Sequence, residues 1–245
     1  MKLICLGSSS SGNCYLLKGK TETLIIEAGV NLKEIKHGLQ LGEVVGCLLT
    51  HEHGDHSKSV KGLMKLGVKV YSSLGTLKAL KLGILGRKAV KMQENIKYII
   101  GQFKVTPYQV EHDCKQPFMY IIEHAECGKV LFITDAVYVP YVFNDLNNII
   151  IEANYSDLIV DRNIESGRLP LLVRNRLLNS HMSLETCKQF LMANDLTNVQ
   201  NIVLIHLSDG NSNAKQFKRE IKELTGKNIF IASKGLKIDF NKEPF

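Results

Sequence analysis

The sequence predicts a layered α/β protein, read as one domain over residues 1–245, and three observations carry that prediction. Short apolar runs of strand length alternate with segments of helical period. Several of those runs stop on a polar residue able to bind a ligand. A hairpin pattern also occurs twice: Tyr15-Leu16-Leu17, a turn, then Leu24-Ile25-Ile26-Glu27-Ala28, and later Tyr120-Ile121-Ile122, a turn, then Val130-Leu131-Phe132-Ile133-Thr134-Asp135-Ala136. Both copies end in an acid, which implies two related β-rich halves packed face to face, with Glu27 and Asp135 at corresponding strand ends. Ligands of α/β folds gather at the carboxyl ends of strands, so the polar strand ends are expected to converge.

The elements follow in order. Residues 2–6 form a first strand that stops at Gly7-Ser8-Ser9-Ser10-Ser11-Gly12-Asn13. The two glycines are spaced as in a phosphate loop, but Asn13 and Cys14 stand where Lys and Ser/Thr should follow, so a Walker loop is rejected. A small-residue turn and a loop whose amides and hydroxyls meet a phosphate both stay open. Residues 15–18 and 23–27 read as a hairpin. Leu32, Ile35 and Leu39 give a helical period over 31–41, and 44–49 read as a buried strand. A helix through Val60, Leu63 and Met64, a strand over 68–72 and a short helix over 76–82 complete the first half. From Ile96 the pattern turns to strands, at 98–100, 103–110, 118–123 and 130–134, followed by 148–151 and 202–205. Helices are expected over 184–194, with Ser183 as N-cap, and over 214–224, where Phe217, Ile221 and Leu224 share a stripe. Strands at 229–232 and 236–240 close the chain.

Composition bounds the function without choosing it. The chain is 44% hydrophobic and 22% charged, ordinary for a globular protein. No stretch approaches transmembrane length, and the apolar part of residues 1–7 is too short for a signal peptide. A cytoplasmic location is therefore expected, with no membrane partner and no organic cofactor. Six cysteines without a Cys-x-x-Cys pair read as buried thiols. A net charge of +7 permits a polyanionic partner, although lysines spread over several helix faces are more simply solvated surface.

The chemistry is concentrated in Thr50-His51-Glu52-His53-Gly54-Asp55-His56, directly after the apolar run 44–49. His51 and His53, two apart in extended chain, point the same way. Asp55 and His56 fall beyond the Gly54 turn, so two ligand pairs can face two neighbouring ions. Imidazole and carboxylate suit zinc, manganese or iron. A zincin helix is excluded, because Asp55 stands where the second histidine of His-Glu-x-x-His belongs.

With a single His112 after a strand, Asp135 after a strand and a late His206 after a strand, this order of motifs resembles the metallo-β-lactamase fold. The resemblance spans nearly the whole chain and implies an αββα sandwich with its metal site at one edge, between the sheets. Gly7-Ser8-Ser9-Ser10-Ser11-Gly12-Asn13, Glu152-Ala153-Asn154 and His181-Met182-Ser183 look like the bacterial YycJ/WalJ group of DNA exonucleases, related to the PhnP and tRNase Z phosphodiesterases. The resemblance implies His51, His53 and His112 on one divalent ion, Asp55, His56 and His206 on a second, and Asp135 bridging, the metal being zinc or manganese. Glu27 stands where the family usually has Asp, and with Glu152 it is expected to support the ligands from behind. His37 on a helix face and His124 near a turn stay outside the site.

Two such ions can share and acidify a water and clamp a phosphoryl oxygen. The hydroxide between them is the expected nucleophile, with Asp55 and His181 as the catalytic pair and His181, read as opening a helix, as general acid. Ser10, Ser11, Asn13, Asn154, Arg174 and Arg176 are candidate substrate contacts, the arginines forming part of a rim with Arg162 and Arg168. The function expected is a phosphodiesterase acting on nucleic acid, a 5′-to-3′ DNA exonuclease. A small cyclic-phosphodiester, thioester or lactone hydrolase is the alternative within enzymes, and a metal-bound regulatory module without turnover is the alternative outside them.

Overall fold

A computed structural model describes residues 1–243. Six strands form in the first half: β1 (Lys2–Gly7), β2 (Cys14–Lys18), β3 (Thr23–Ile26), β4 (Val44–Leu48), β5 (Val70–Ser73) and β6 (Ala89–Met92). The second half supplies β7 (Tyr98–Ile100), β8 (Phe103–Gln109), β9 (Phe118–His124), β10 (Gly128–Ile133), β11 (Asn148–Glu152), β12 (Asn201–Ile205) and β13 (Asn228–Ile231), and β14 (Lys237–Asp239) returns to the first sheet. The sheets run β14-β1-β2-β3-β4-β5-β6 and β13-β12-β11-β10-β9-β8-β7. Each is mixed in the same way. An antiparallel hairpin, β2–β3 or β9–β10, passes its second strand to a parallel neighbour, β4 or β11. The repeat expected from the two hairpins is therefore present in the pairing itself.

The period of two along the strands builds four layers. Leu24 and Ile26 of β3, Ile150 of β11 and Val203 and Ile205 of β12 point into a core shared by both sheets. Their neighbours point outward. Leu16, Ile25 and Cys47 meet α1 (Leu32–His37) and α3 (Val60–Lys65). Ile149, Ile151 and Leu204 meet α7 (Leu184–Ala193) and α8 (Ala214–Thr225). Strands buried on both faces read as continuous apolar runs, as β11 and β12 do. The remaining helices are α2 (Gly54–Ser57), α4 (Leu74–Ala79), α5 (Asp157–Glu165) and α6 (Leu171–Leu178).

Several expectations need correction. The helix expected over 31–41 ends at His37, because Gly38 caps it and Leu39 packs from the following turn. The loop after β4 contains α2, with His53 at its N-cap. β6, α5 and α6 were not expected: β6 is four half-covered residues, and α6 buries nothing and so leaves no stripe. His181 does not open a helix. It follows α6, its N–H donating to Leu177 O at 3.1 Å, and precedes α7, whose N-cap is Ser183 as expected. On α8, Phe217 and Ile221 are buried but Leu224 is 39% exposed, so the stripe is narrower than expected.

Candidate metal centre

Four strand ends meet at one edge of the sandwich. β4 delivers His51 and, just beyond, His53; α2 carries Asp55 and His56; β8 leads to His112, β10 to Asp135 and β12 to His206. The His51 and His53 rings lie 4.7 Å apart and nearly perpendicular. Asp135 sits at the middle, its Oδ2 3.7 Å from His51 Nε2 and 3.6 Å from His112 Nε2, its Oδ1 2.8 Å from His206 Nδ1 and 3.4 Å from His56 Nε2. Asp55 Oδ2 lies 3.2 Å from His56 Nε2 and 3.4 Å from His206 Nε2. Ligand atoms of His51, His53, His112 and Asp135 lie within 4.8 Å of one another, as do those of Asp55, His56, Asp135 and His206. The seven residues expected as ligands thus lie together, and the ligand atoms of a third group, Asp135, Glu152, His181 and His206, are equally close to one another.

The backbone is bent to do this. Glu27, Asp135 and His206, each directly or nearly after a strand, have φ of 63°, 48° and 54°. A left-handed conformation is uncommon for residues other than glycine and concentrates at functional sites. Here it turns each side chain back over the sheet edge.

These residues fit divalent metal. His51 Nε2 and His206 Nε2 are buried without a hydrogen-bond partner, although buried polar atoms are ordinarily satisfied. Nδ1 of His51 lies 2.9 Å from Thr50 Oγ1, and Nδ1 of His112 donates to Ser180 O at 2.7 Å. In His112 the proton is thereby fixed on Nδ1, leaving the Nε2 lone pair to face inward, the arrangement that orients metal-bound imidazoles. The donors are nitrogen and carboxylate oxygen throughout, the set suited to zinc, manganese or iron.

Two buried acids support the ligands. Glu27 Oε1 accepts from Thr50 N–H at 3.1 Å and its Oε2 lies 3.4 Å from His56 Nδ1, so the longer side chain reaches both the strand end and a ligand. Glu152 Oε1 lies 2.8 Å from His181 Nδ1 and 3.1 Å from His206 Nδ1, while its Oε2 accepts from Met182 N–H at 3.0 Å. Burial opposes charge on all these groups, and pairing then decides. For His206 and His56 burial is outweighed by Asp135 and Asp55, which raise both imidazoles well above their usual value. The same pairs hold Asp135 and Asp55 below the usual carboxylate range against burial. Burial lowers His51 and His112. In Glu27 burial prevails and raises the carboxyl, whereas in Glu152 the His181 charge overcomes burial and lowers it. His181 is raised in turn, Glu152 outweighing burial.

A cavity of about 430 Å³ opens over the cluster, lined among others by Ser10, Asn154, Arg176 and His181. Three of the expected substrate contacts stand elsewhere. Ser11 lines a neighbouring groove of about 600 Å³. Arg174 does not line the cavity, because the helical repeat of α6 turns Val173, Arg176 and Leu177 to it instead. Asn13 is fully buried, its Nδ2 3.3 Å from Asp55 Oδ2 and 3.2 Å from His56 Nε2, so it positions ligands. Ser8, Thr50 and Ser180 were not expected. Ser8 Oγ accepts from His206 N–H at 3.0 Å and from the Tyr15 hydroxyl at 2.8 Å. Its place in the serine run is the one signal that pointed to it. His124, as expected, lies apart, packed on Phe103.

The Beta-lactamase superfamily domain matches residues 25–207. Exodeoxyribonuclease YycJ of Bacillus anthracis is 28% identical over 232 residues, 87% of this chain and 84% of that protein. Exodeoxyribonuclease WalJ of Streptococcus pneumoniae serotype 2 (strain D39 / NCTC 7466) is 26% identical over 257 residues, 98% and 92%. Among solved structures, the metallo-beta-lactamase fold protein YhfI from Bacillus subtilis gives a TM-score of 0.72 at 15% identity, covering 97% of this chain and 98% of that one. Human tRNase Z, short form, gives 0.63 at 15% identity, covering 98% and 99%. A diphosphatase of the PhnP family gives 0.68 at 15% identity, covering 98% of both.

Proposed function

The chain belongs to the beta-lactamase superfamily, as a metal-dependent hydrolase, and from that premise we propose that it is a dinuclear exodeoxyribonuclease, cutting phosphodiesters in DNA from a strand end in the 5′-to-3′ direction. The observation that carries this reading is the placement of an imidazole, His181, on the wall of a cavity over two groups of residues that could each hold a metal ion. The YycJ and WalJ resemblance and the net charge of +7 favour DNA as the substrate. A cytoplasmic site of action agrees with that substrate, and among the described residues no helix is long and apolar enough to cross a membrane.

His51, His53 and His112 would hold one ion, Asp55, His56 and His206 the other, and Asp135 both. Bound there, divalent cations such as zinc or manganese would acidify a water and neutralise charge building on phosphoryl oxygens. The protein's own part is positioning and proton delivery. Ser10 and Asn154 line the cavity where phosphate oxygens would lie, with the Arg176 guanidinium at its mouth. Arg176 lies 3.5 Å from Asp113, an exposed pair that a phosphate can displace. The Glu152 carboxylate grips His181 at Nδ1 and, against burial, raises the imidazole above its usual value. The Nε2 proton is then the one available to the departing alkoxide, the general-acid role.

End-labelled DNA incubated with the protein and manganese or zinc should shorten progressively from one end, and chelation or His53→Ala should stop it. The cavity volume is on the scale of a small-ligand site, which favours a small phosphodiester as second reading. Turnover of bis-p-nitrophenyl phosphate or a cyclic nucleotide with DNA left intact would establish that reading instead. A metal-loaded protein inert to every ester would leave the non-catalytic module.

A further inference from the structure

Alone among the α-helices of the described residues, α6 buries no residue. An eight-residue helix is marginal in water without something to pack on. One face is accounted for: Val173, Arg176, Leu177 and then Ser180, three or four apart, line the cavity over the metal cluster. The N-terminal end is not, for Leu171 and Leu172 are 63% and 83% exposed. A patch of this kind at the rim of a cavity marks an interaction surface.

The chemistry of the helix indicates what covers it. Its sequence Leu-Leu-Val-Arg-Asn-Arg-Leu-Leu contains two arginines and no acid; Arg176 is exposed beside Asp113, whereas Arg174 Nε is buried. Exposed apolar side chains beside a guanidinium whose partner is the exposed Asp113 match the end of a nucleic acid, whose bases pack against the first and whose phosphates pair with the second. The cavity sets a further condition. At about 430 Å³, over buried His51, His56, Asp135 and His206, it has the volume of a small-ligand site and not of a paired duplex. A duplex end must be opened at the rim, and the rim on this side is α6.

We infer that α6 is a wedge that unpairs the end of a DNA duplex. Leu171 and Leu172 stack against the terminal base pair, as apolar wedges do at kinked base steps. Arg176, on the cavity wall, holds the backbone of the strand that enters. This rests on the DNA-exonuclease reading and adds to it how paired substrate is admitted.

The test compares three end-labelled substrates of one sequence: single-stranded, blunt duplex, and a duplex whose terminal pairs are mismatched. For Leu172→Ser, an exposed change that leaves the core intact, the ratio of blunt-duplex to single-strand rates should fall about tenfold. Leu172→Met should keep most of the ratio, and the mismatched ends should restore Leu172→Ser toward wild type. An unchanged ratio, or a loss the mismatched ends do not rescue, overturns the wedge. If a second copy of the chain covers this patch, the wild type will sediment as a dimer that Leu172→Ser dissociates, and the wedge fails. A wild type inert on all three substrates sinks the exonuclease reading and the wedge with it, whereas one active on duplex but not on single strands, or one with an unmoved ratio, sinks the wedge alone.

Discussion

His181 separates metal binding from proton delivery. It lies outside the two sets that include the histidine loop but shares a third group with Asp135, Glu152 and His206, where it is tied at 2.8 Å to buried Glu152. His181→Ala should therefore retain metal, measured by elemental analysis, while kcat on DNA falls by about 10²-fold or more, the worth of a positioned general acid. Metal lost in parallel with activity would assign His181 to the coordination shell instead. Glu27→Ala tests the other buried acid. It leaves the Thr50 N–H without its acceptor and His56 without its support, so a destabilisation of about 1–3 kcal/mol is expected in chemical denaturation of the chelated protein. At this scale the sequence was most legible where residue type alone limits the chemistry, as in three imidazoles and a carboxylate within six residues. It was least legible where an ordinary group acts through position. The Ser180 carbonyl that orients His112 comes from 68 residues away, and nothing in a serine announces that. Asn13 is expected against substrate but faces Asp55 and His56 from a buried position, because sequence shows that an amide is present and not which way it faces.

The strand ends explain how the elements hold the cluster. Asn13 N–H donates to Asp55 O at 2.7 Å, Gly29 N–H to Asn13 O at 2.8 Å and Ala28 N–H to His56 O at 2.8 Å. The serine run, the end of β3 and α2 are thus stitched backbone to backbone, and Gly29 permits it, since a Cβ there would overlap the Asp55 carbonyl. Gly29→Ala should push α2 outward and displace Asp55 and His56 while leaving His51, His53 and His112 in place. Metal content should then drop from two ions per chain toward one, and a chain that still binds two would show the stitch to be dispensable. Strands and the hairpin repeat could be read from sequence because alternation is forced by burial on fixed faces. α5 and α6 could not, because a helix that packs little carries no apolar stripe. β6 was missed for the related reason that it is short and half-covered, held by its pairing with β5.

Across the whole molecule the two sheets meet around a charge cluster whose balance depends on protons until metal replaces them. Burial opposes charge throughout, yet Asp135 and Asp55 raise His206 and His56 well above their usual value. Those two imidazoles contribute stability that is fully present below the ordinary histidine value and is lost as pH rises through their raised values. The carboxylates Asp135 and Asp55, held low by the same pairs, contribute stability present above the ordinary aspartate value and lost as pH falls through their lowered ones. The chelated protein should accordingly be most stable between the two transitions. Divalent ions need the same nitrogens deprotonated, so binding must expel those protons. Each proton expelled changes the binding free energy by about 1.4 kcal/mol per pH unit while its group remains protonated in the free protein. The rise in melting temperature on adding manganese or zinc should therefore grow from roughly pH 5.5 to 8.5, and a weakly buffered solution should acidify as metal is added. The effect requires His56 and His206 to be ligands, so His206→Gln should reduce both the slope and the acid released. A thermal increment independent of pH in the wild type, with no proton release, would remove these imidazoles from the coordination shell and with them the second ion.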